Sequence, residues 1–250
     1  MRHAVAPMLL ASLLLAAPTA GSAEQSYRAD YTVTLLGLPV AKASFDSTFT
    51  ARDFRIEGSL SSAGIARVFD KTTGTTRVEG RIGKDGAQPR TFSSAYKSGK
   101  KSSRTTIRYS GGRVASVSNT PEPRKGKRWV EVRESHLRAA LDPLSSTLIR
   151  TDDPRKVCNR TIQVFDGEMR LDLKLTQRAT TDARITCDAR FLPVSGYRQG
   201  RKQIEFLKNQ SRISITFAEL GGTGFYTPVD ASVGTQIGTL RIAATRIEAR

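Results

Sequence analysis

The sequence predicts a mainly β protein, an antiparallel meander curled into an open barrel or β-spiral with one broken helix packed against it. Three observations predict it. Segments that alternate apolar and polar residues recur along the chain; turn signals separate them roughly every 8–12 residues, as in sandwiches and barrels; and only Glu134 to Arg150 sustains apolar residues at helical spacing.

The chain opens with the positive stretch Met1-Arg2-His3, an apolar run from Ala4 to Ala17, and the small residues Gly21-Ser22-Ala23. Residues 1–23 read as a cleaved signal peptide. The apolar run falls short of the roughly 20 residues that a spanning helix needs, and no cysteine follows the cleavage site to carry a lipid anchor. Residues 24–250 are then expected to form a single β-rich exported domain, with 38% apolar and 25% charged residues overall.

Tyr27 to Leu36 alternates Tyr27, Ala29, Tyr31, Val33 and Leu35 with mostly polar residues, a half-buried strand. After a break at Gly37-Leu38-Pro39, Val40 to Thr50 places Ala41, Ala43, Phe45, Ser47 and Phe49 on one parity, and Asp53 to Leu60 adds Phe54, Ile56, Gly58 and Leu60. These three form a meander. Gly64 to Phe69 reads as a helical turn, with Ile65, Val68 and Phe69 one turn apart. Strands follow over Thr75 to Ile82, Arg90 to Tyr96, Ser103 to Tyr109 and Arg113 to Val117. Asn119 to Lys127, with Pro121 and Pro123, is a loop. In the helical region, Leu137, Ala140, Leu141, Leu144 and Leu148 share a stripe. Pro143 would break a single helix there, and Asp142-Pro143 fits a cap and first-turn pair opening a second one.

Cys158 to Tyr197 carries the clearest β-pattern. Thr161 to Phe165 and Glu168 to Thr176 flank Asp166-Gly167, a dipeptide suited to a type I′ hairpin turn. Ala183 to Phe191 aligns Ala183, Ile185, Cys187, Ala189 and Phe191. Two cysteines in an exported chain most simply make one disulfide. In a flat three-strand meander, Cys158 and Cys187 would lie near 10 Å apart, two strand spacings of about 4.8 Å, whereas a bond needs Cα atoms within about 7 Å. Either Cys158 precedes its strand and folds across the end, which is the favoured arrangement, or the sheet curls hard, or the thiols are free. Gln203 to Lys208, Ile213 to Phe217, Tyr226 to Asp230 and Gly238 to Ile247 read as further strands. The glycines at 221, 222 and 224 form a turn, since they do not link a strand to a helix as a phosphate loop would.

The order Tyr31-Thr32-Val33, Gly37-Leu38-Pro39-Val40, Ala140 to Ser145, Cys158, Phe165-Asp166-Gly167, Cys187 and Phe191 to Gly196 resembles an uncharacterised exported bacterial family, domain of unknown function 3108. The resemblance covers nearly all of the chain after residue 23. It implies a periplasmic setting in Gram-negative bacteria and brings no catalytic residues. More loosely, the expected fold resembles the open barrels of periplasmic lipoprotein carriers, an analogy that does not establish function.

Several chemistries lack their residues. His136 is the only histidine outside the leader, so no histidine pair or cluster can bind a metal and a Ser-His-Asp arrangement has one candidate base and no nucleophile elbow. His136 reads more simply as a solvent-facing or capping residue. No cofactor is expected. Carboxylates can act without histidine, as in glycoside hydrolysis, and Asp142, Asp152, Asp153, Asp166 and Glu168 are the central acids. Asp142 is better read as a cap and Asp166 as a turn residue.

Charge points to anionic partners. The formal charge of +17 becomes +16 on removing Arg2. From Lys97 to Val130, ten Lys or Arg face the single acid Glu122. Lys97, Lys100, Lys101, Arg104, Arg124, Lys125, Lys127 and Arg128 are candidates for an anionic-partner surface, with a solvated basic face as the competing reading. Export argues against nucleic acid. The apolar residues Leu171, Leu173, Ile185 and Phe191 of the sheet and Leu141, Leu144 and Leu148 of the helix are candidate ligand contacts, with core packing the competing reading for each. The expected function is therefore a non-enzymatic envelope protein binding a lipid, lipoprotein or anionic glycan, or serving as a scaffold, with peripheral membrane contact but no span. The alternative is a carboxylate-dependent hydrolase of envelope glycans. An outer-membrane barrel is disfavoured, because aromatic residues make up only 7% of the chain and such barrels carry aromatic girdles.

Overall fold

The computed structural model describes residues 24–250 except Ile65, Asp70, Asp85 and Asp182; the expected signal peptide, residues 1–23, lies outside the described residues. Strands β1 (Gln25–Leu35), β2 (Leu38–Phe49), β3 (Asp53–Ser62), β4 (Thr72–Gly83), β5 (Gly86–Ser98), β6 (Lys101–Ser110) and β7 (Arg113–Thr120) form an antiparallel meander. A long excursion carries the two-residue strands β8 (Trp129–Val130) and β9 (Ile149–Arg150). The sheet resumes with β10 (Thr161–Phe165), β11 (Arg170–Thr180) and β12 (Ile185–Ser195), and after β13 (Tyr197–Arg198) it ends with β14 (Ile213–Glu219), β15 (Phe225–Thr235) and β16 (Gly238–Ala249). Two helices, α1 (Ala66–Phe69) and α2 (Lys202–Asn209), interrupt the strands.

The main sheet runs β10-β11-β12-β14-β15-β16-β1-β2-β3-β4-β5-β6-β7, with β9 added beside β15. Because β16 pairs with β1, the first and last strands lie side by side in the middle of the sheet. The sheet curls without closing into a barrel. Its edge strands β7 and β10 are joined by the excursion: Ala139 N–H donates to Gly112 O, Leu141 N–H to Gln163 O, and Phe165 N–H back to Leu141 O, at 2.8–3.0 Å. Asn119 Nδ2 adds a bond to Gly167 O at 2.8 Å. Two edges that would otherwise offer unpaired backbone are thereby covered.

This seam explains why the expected helix over Glu134 to Arg150 does not form. The region holds only short 3₁₀ turns at Glu134–Leu137 and Ser145–Thr147 before β9. Backbone groups that would bond i to i−4 are instead used by the sheet edges, and Ala139 has φ 54°. The expected break is present; the turn after it begins at Ser145, with Leu144 at its N-cap, not at Pro143, and Asp142 Oδ1 caps it by accepting from the N–H groups of Leu144 and Ser145 at 3.0 and 2.9 Å. His136 Nδ1 accepts from Arg133 N–H at 3.2 Å, a capping role.

Gln203 to Lys208, expected as a strand, is helix α2. Ile204 is buried and Leu207, three residues on, is half-buried, a one-turn spacing that the alternation had hidden. The β10–β11 connection is also wider than a two-residue turn. It spans Asp166 to Met169, because Asp166 Oδ1 accepts from both Glu168 and Met169 N–H, at 2.8 and 2.7 Å. Only Gly167 of the dipeptide has positive φ.

The disulfide between Cys158 and Cys187 is formed, with Cα atoms 5.7 Å apart. Cys158 precedes β10 and folds over the end of β11, where Gln177 N–H donates to Asn159 Oδ1 at 3.3 Å and Gln177 is the strand partner of Cys187. Two apolar clusters result. One surrounds the disulfide with Ile162, Val164, Leu175, Ile185 and Phe217. The other lies in the concavity of the meander and includes Tyr27, Phe49, Phe54, Val78, Phe92, Phe165 and Phe225.

Antiparallel pairing sends alternate connections to opposite rims of the curl. One rim collects the β1–β2 turn, the β3–β4 and β5–β6 connections, the exit of β7, the β10–β11 turn, the β12–β14 crossover with α2, and the β15–β16 turn. Lys97, Lys100, Lys101, Arg124, Lys125, Lys127, Arg128, Arg201 and Lys202 all lie on or beside this rim, which is therefore basic.

Candidate functional site

On the concave face of β1, β2 and β3, large and small side chains alternate across the strands. Tyr27 stands opposite Ser47, and Ser47 opposite Ile56; Ala29 opposite Phe45, and Phe45 opposite Gly58; Tyr31 opposite Ala43, and Ala43 opposite Leu60. Each large residue overhangs a small one. The Phe45 ring covers Gly58, and Tyr31 meets Phe45 edge to face with ring centroids 5.7 Å apart.

The small residues leave a cavity of about 250 Å³ lined by Ala29, Tyr31, Val33, Ala43, Phe45, Leu60 and Ile242 on the sheet, with Leu144, Thr147 and Leu148 as its opposite wall. The wall is held in place by the Asp142 cap and by the Thr147 hydroxyl, which donates to Leu144 O at 2.7 Å. Few polar groups reach the space. Tyr31 donates its hydroxyl to Pro228 O at 2.8 Å, at the part of β15 that has no β16 partner. Burial pushes the Tyr31 phenol up to about 12, so it stays neutral. With no charge and little hydrogen bonding on offer, the cavity suits an apolar group.

Of the residues singled out from sequence, Leu144 and Leu148 line this cavity. Leu171, Leu173 and Ile185 belong instead to the cluster around the disulfide, Phe191 is buried on β12, and Leu141 forms the bridge to Val164 at the seam. The structure thus brings two of the seven to the cavity. The residues that sequence reasoning had not named as contacts are Ala29, Tyr31, Ala43, Phe45 and Leu60. Their signal was visible as Ala and Gly recurring among aromatics on one parity of adjacent strands.

The basic candidates divide. Lys97, Lys100 and Lys101 surround the β5–β6 turn, with Arg104 following on β6. Lys125 pairs with Glu131 at 3.5 Å, Lys127 is exposed in the same loop, and Arg124 and Arg128 line a second cavity of about 660 Å³.

The central acids are dispersed. Asp142 is fully buried, its carboxyl pushed up from the usual range by burial. Asp153 caps a 3₁₀ turn and pairs with Arg155 at 3.0 Å, which lowers it. Asp152 lies one residue before it, in the loop after β9. Asp166 and Glu168 share the second cavity. Glu168 is raised, first by burial and then by Asp166. Among the described residues, no group of three or more His, Cys, Asp or Glu is placed to hold a metal ion, and no helix is long and apolar enough to cross a membrane.

A crystal structure from Brucella abortus, described as a beta-barrel-like protein of domain of unknown function DUF1849, is similar to this chain at 11% identity, with a TM-score of 0.47, over 90% of this chain and 98% of that one. No curated protein matches. A family described as protein of unknown function, DUF3108, matches residues 26–245, and the chain belongs to that family.

Proposed function

We propose that the protein is a non-enzymatic periplasmic component of the cell envelope that takes an acyl chain of a lipid or lipoprotein into the concave cavity. The cavity itself carries this reading. Protein interiors rarely leave voids larger than a water molecule. This pocket, open at one end, keeps about 250 Å³ of apolar-walled space beside Ala29 and Ala43 that a close-packed sheet face would fill. Larger residues at 29 or 43 would fill it, so a space kept open by alanine is best explained by an occupant.

The approach to the cavity supports the same reading. Val33 and Ile242, paired across β1 and β16, lie at the end nearest the β1–β2 and β15–β16 turns. Those two turns expose Leu36, Leu38 and Ile237 at 70%, 58% and 70%, and Leu36 N–H joins them by donating to Thr239 O at 3.2 Å. An apolar lip on a basic rim is suited to a surface of anionic lipid. Protein purified from its own periplasm without detergent tests the proposal by native mass spectrometry. A co-purified mass in the lipid range, released on gentle activation, is expected; apo mass alone at every setting contradicts it.

A further inference from the structure

The second cavity, on the basic rim across the curl from the apolar lip, is built with unusual constraint. Its walls come from four segments: Arg124 to Trp129, Asp166 to Met169, Gly196 to Gly200, and the start of α2. The β8–β13 ladder fixes two of them, with Gly196 N–H donating to Val130 O at 2.7 Å and Gln199 N–H to Arg128 O at 2.9 Å. Gly196 has φ 75°, and a Cβ there would collide with the backbone of Glu168 and Met169, so only glycine permits the β10–β11 turn to seat against the ladder. Arg128 holds a positive φ of 62° within the same frame.

The groups presented by this frame are incompletely matched to one another. Arg124, Arg128, Arg198 and Arg201 line the space; none is within ion-pair distance of an acid among the described residues, whereas neighbouring Lys125 is, although Arg201 is near enough to Glu168 to pull its carboxyl down. Trp129 also lines it, and its indole N–H is buried without an acceptor. A buried donor left unpaired costs about 1–3 kcal/mol. Asp166 and Glu168 supply hydrogen-bond acceptors, and Tyr197 a second ring.

Each simple ligand class leaves part of this set unused. A bare polyanion would meet the arginines but be repelled by the two carboxylates. A neutral sugar would serve the carboxylates and the rings but leave the excess of four arginines over two carboxylates without counter-charge. A molecule bearing both hydroxyl and phosphate groups uses all of it: arginines grip phosphate oxygens bidentately, carboxylates accept from hydroxyls, and an aromatic face covers the apolar side of a sugar ring. A volume of about 660 Å³ falls within the roughly 300–1,000 Å³ usual for small-molecule sites. We propose that this cavity binds a phosphorylated saccharide. This is a second site, and it does not depend on what occupies the apolar cavity.

Trp129 is the chain's only tryptophan and lines this cavity and one that adjoins it, so its emission responds to binding there and the variants below assign the response. Titration of the whole protein with trehalose 6-phosphate is expected to give a saturable change in that emission. Trehalose and inorganic phosphate alone should each bind at least tenfold more weakly. The exposed pair Arg124→Gln with Arg198→Gln should lower affinity at least tenfold at unchanged Tm, while Ala43→Phe in the apolar cavity should leave it intact. Vesicles of phosphatidylcholine carrying phosphatidylinositol 4-phosphate distinguish the source: tighter binding than to the soluble sugar phosphate identifies a lipid-anchored headgroup, weaker binding a free saccharide. No saturable response to the sugar phosphate, an equal response in the double variant, or equal binding to phosphatidylglycerol vesicles would overturn the proposal.

Discussion

Phe45 lies so close over Gly58 that a Cβ on residue 58 would fall 2.5 Å from its Cε1 and 2.8 Å from Thr76 Cγ2. The hole at Gly58 and the ring of Phe45 are one device: the missing side chain lets the ring lie flat against β3 and keeps it out of the cavity. Gly58→Ala should therefore push the ring into the open space. We expect a stability loss of about 1–3 kcal/mol, the usual cost of overpacking, and loss of apolar-ligand binding. Chemical denaturation and a binding titration on the same variant check both.

The disulfide staples the far end of the sheet. Cys158 and Cys187 are separated by 29 positions, and by the chain-entropy relation a closed loop of about 30 residues contributes roughly 3–4 kcal/mol. Replacing both cysteines by alanine should lower the unfolding free energy by about that amount. Ligand uptake under native conditions should persist, since neither cysteine lines the apolar cavity.

The meander, its strand parity, the break at Pro143 and the position of Cys158 ahead of its strand were legible in the sequence because each rests on local pattern or reach. The excursion was not. Its apolar spacing is helical, but Ala139 and Leu141 give their backbone bonds to Gly112 and Gln163, partners distant in sequence. The site was half legible for the same reason. Parity showed that Ala29, Ala43 and Phe45 face inward, while which strands stand opposite Leu144 and Leu148 depends on the curl of the whole sheet. Arg198 and Arg201 join Arg124 and Arg128 only through the β8–β13 ladder, a two-residue pairing too short to carry a periodic signal.

Asp30 should set the acid limit of stability. It is held down at about 2, from an ordinary value of 3.8, by hydrogen bonds from Ser44 and then Arg246, with Arg28 nearby. A depressed carboxyl stabilises the fold above its unfolded value and loses that contribution as pH falls through its folded one. Stability should drop between about pH 4 and pH 2. Asp30→Asn should lower Tm at neutral pH and flatten that drop, as read by thermal unfolding across pH.

Asp142 acts in the opposite sense. Burial raises its carboxyl above 3.8 and outweighs the opposing contacts from Ser145 and Leu144, while Oδ2 makes no hydrogen bond of ordinary geometry. The folded state thus holds a proton that the unfolded chain releases, so this group's contribution declines as pH rises above about 3.8. Asp142→Asn keeps the acceptor that caps Leu144 and Ser145 and should remove this decline, again by thermal unfolding across pH. Asp142→Ala should instead lose the cap at a cost of about 1 kcal/mol.

The central claim is that the space between Tyr31, Ala43 and Leu144 holds an acyl chain. Titrating delipidated protein with the fluorescent fatty acid cis-parinaric acid, with Ala43→Phe in parallel, tests it most directly. Saturable binding of one molecule per chain, abolished in Ala43→Phe at unchanged fold, is the predicted result. No binding to the unsubstituted protein, or equal binding by the Ala43→Phe variant, whose added ring fills the cavity, would contradict it.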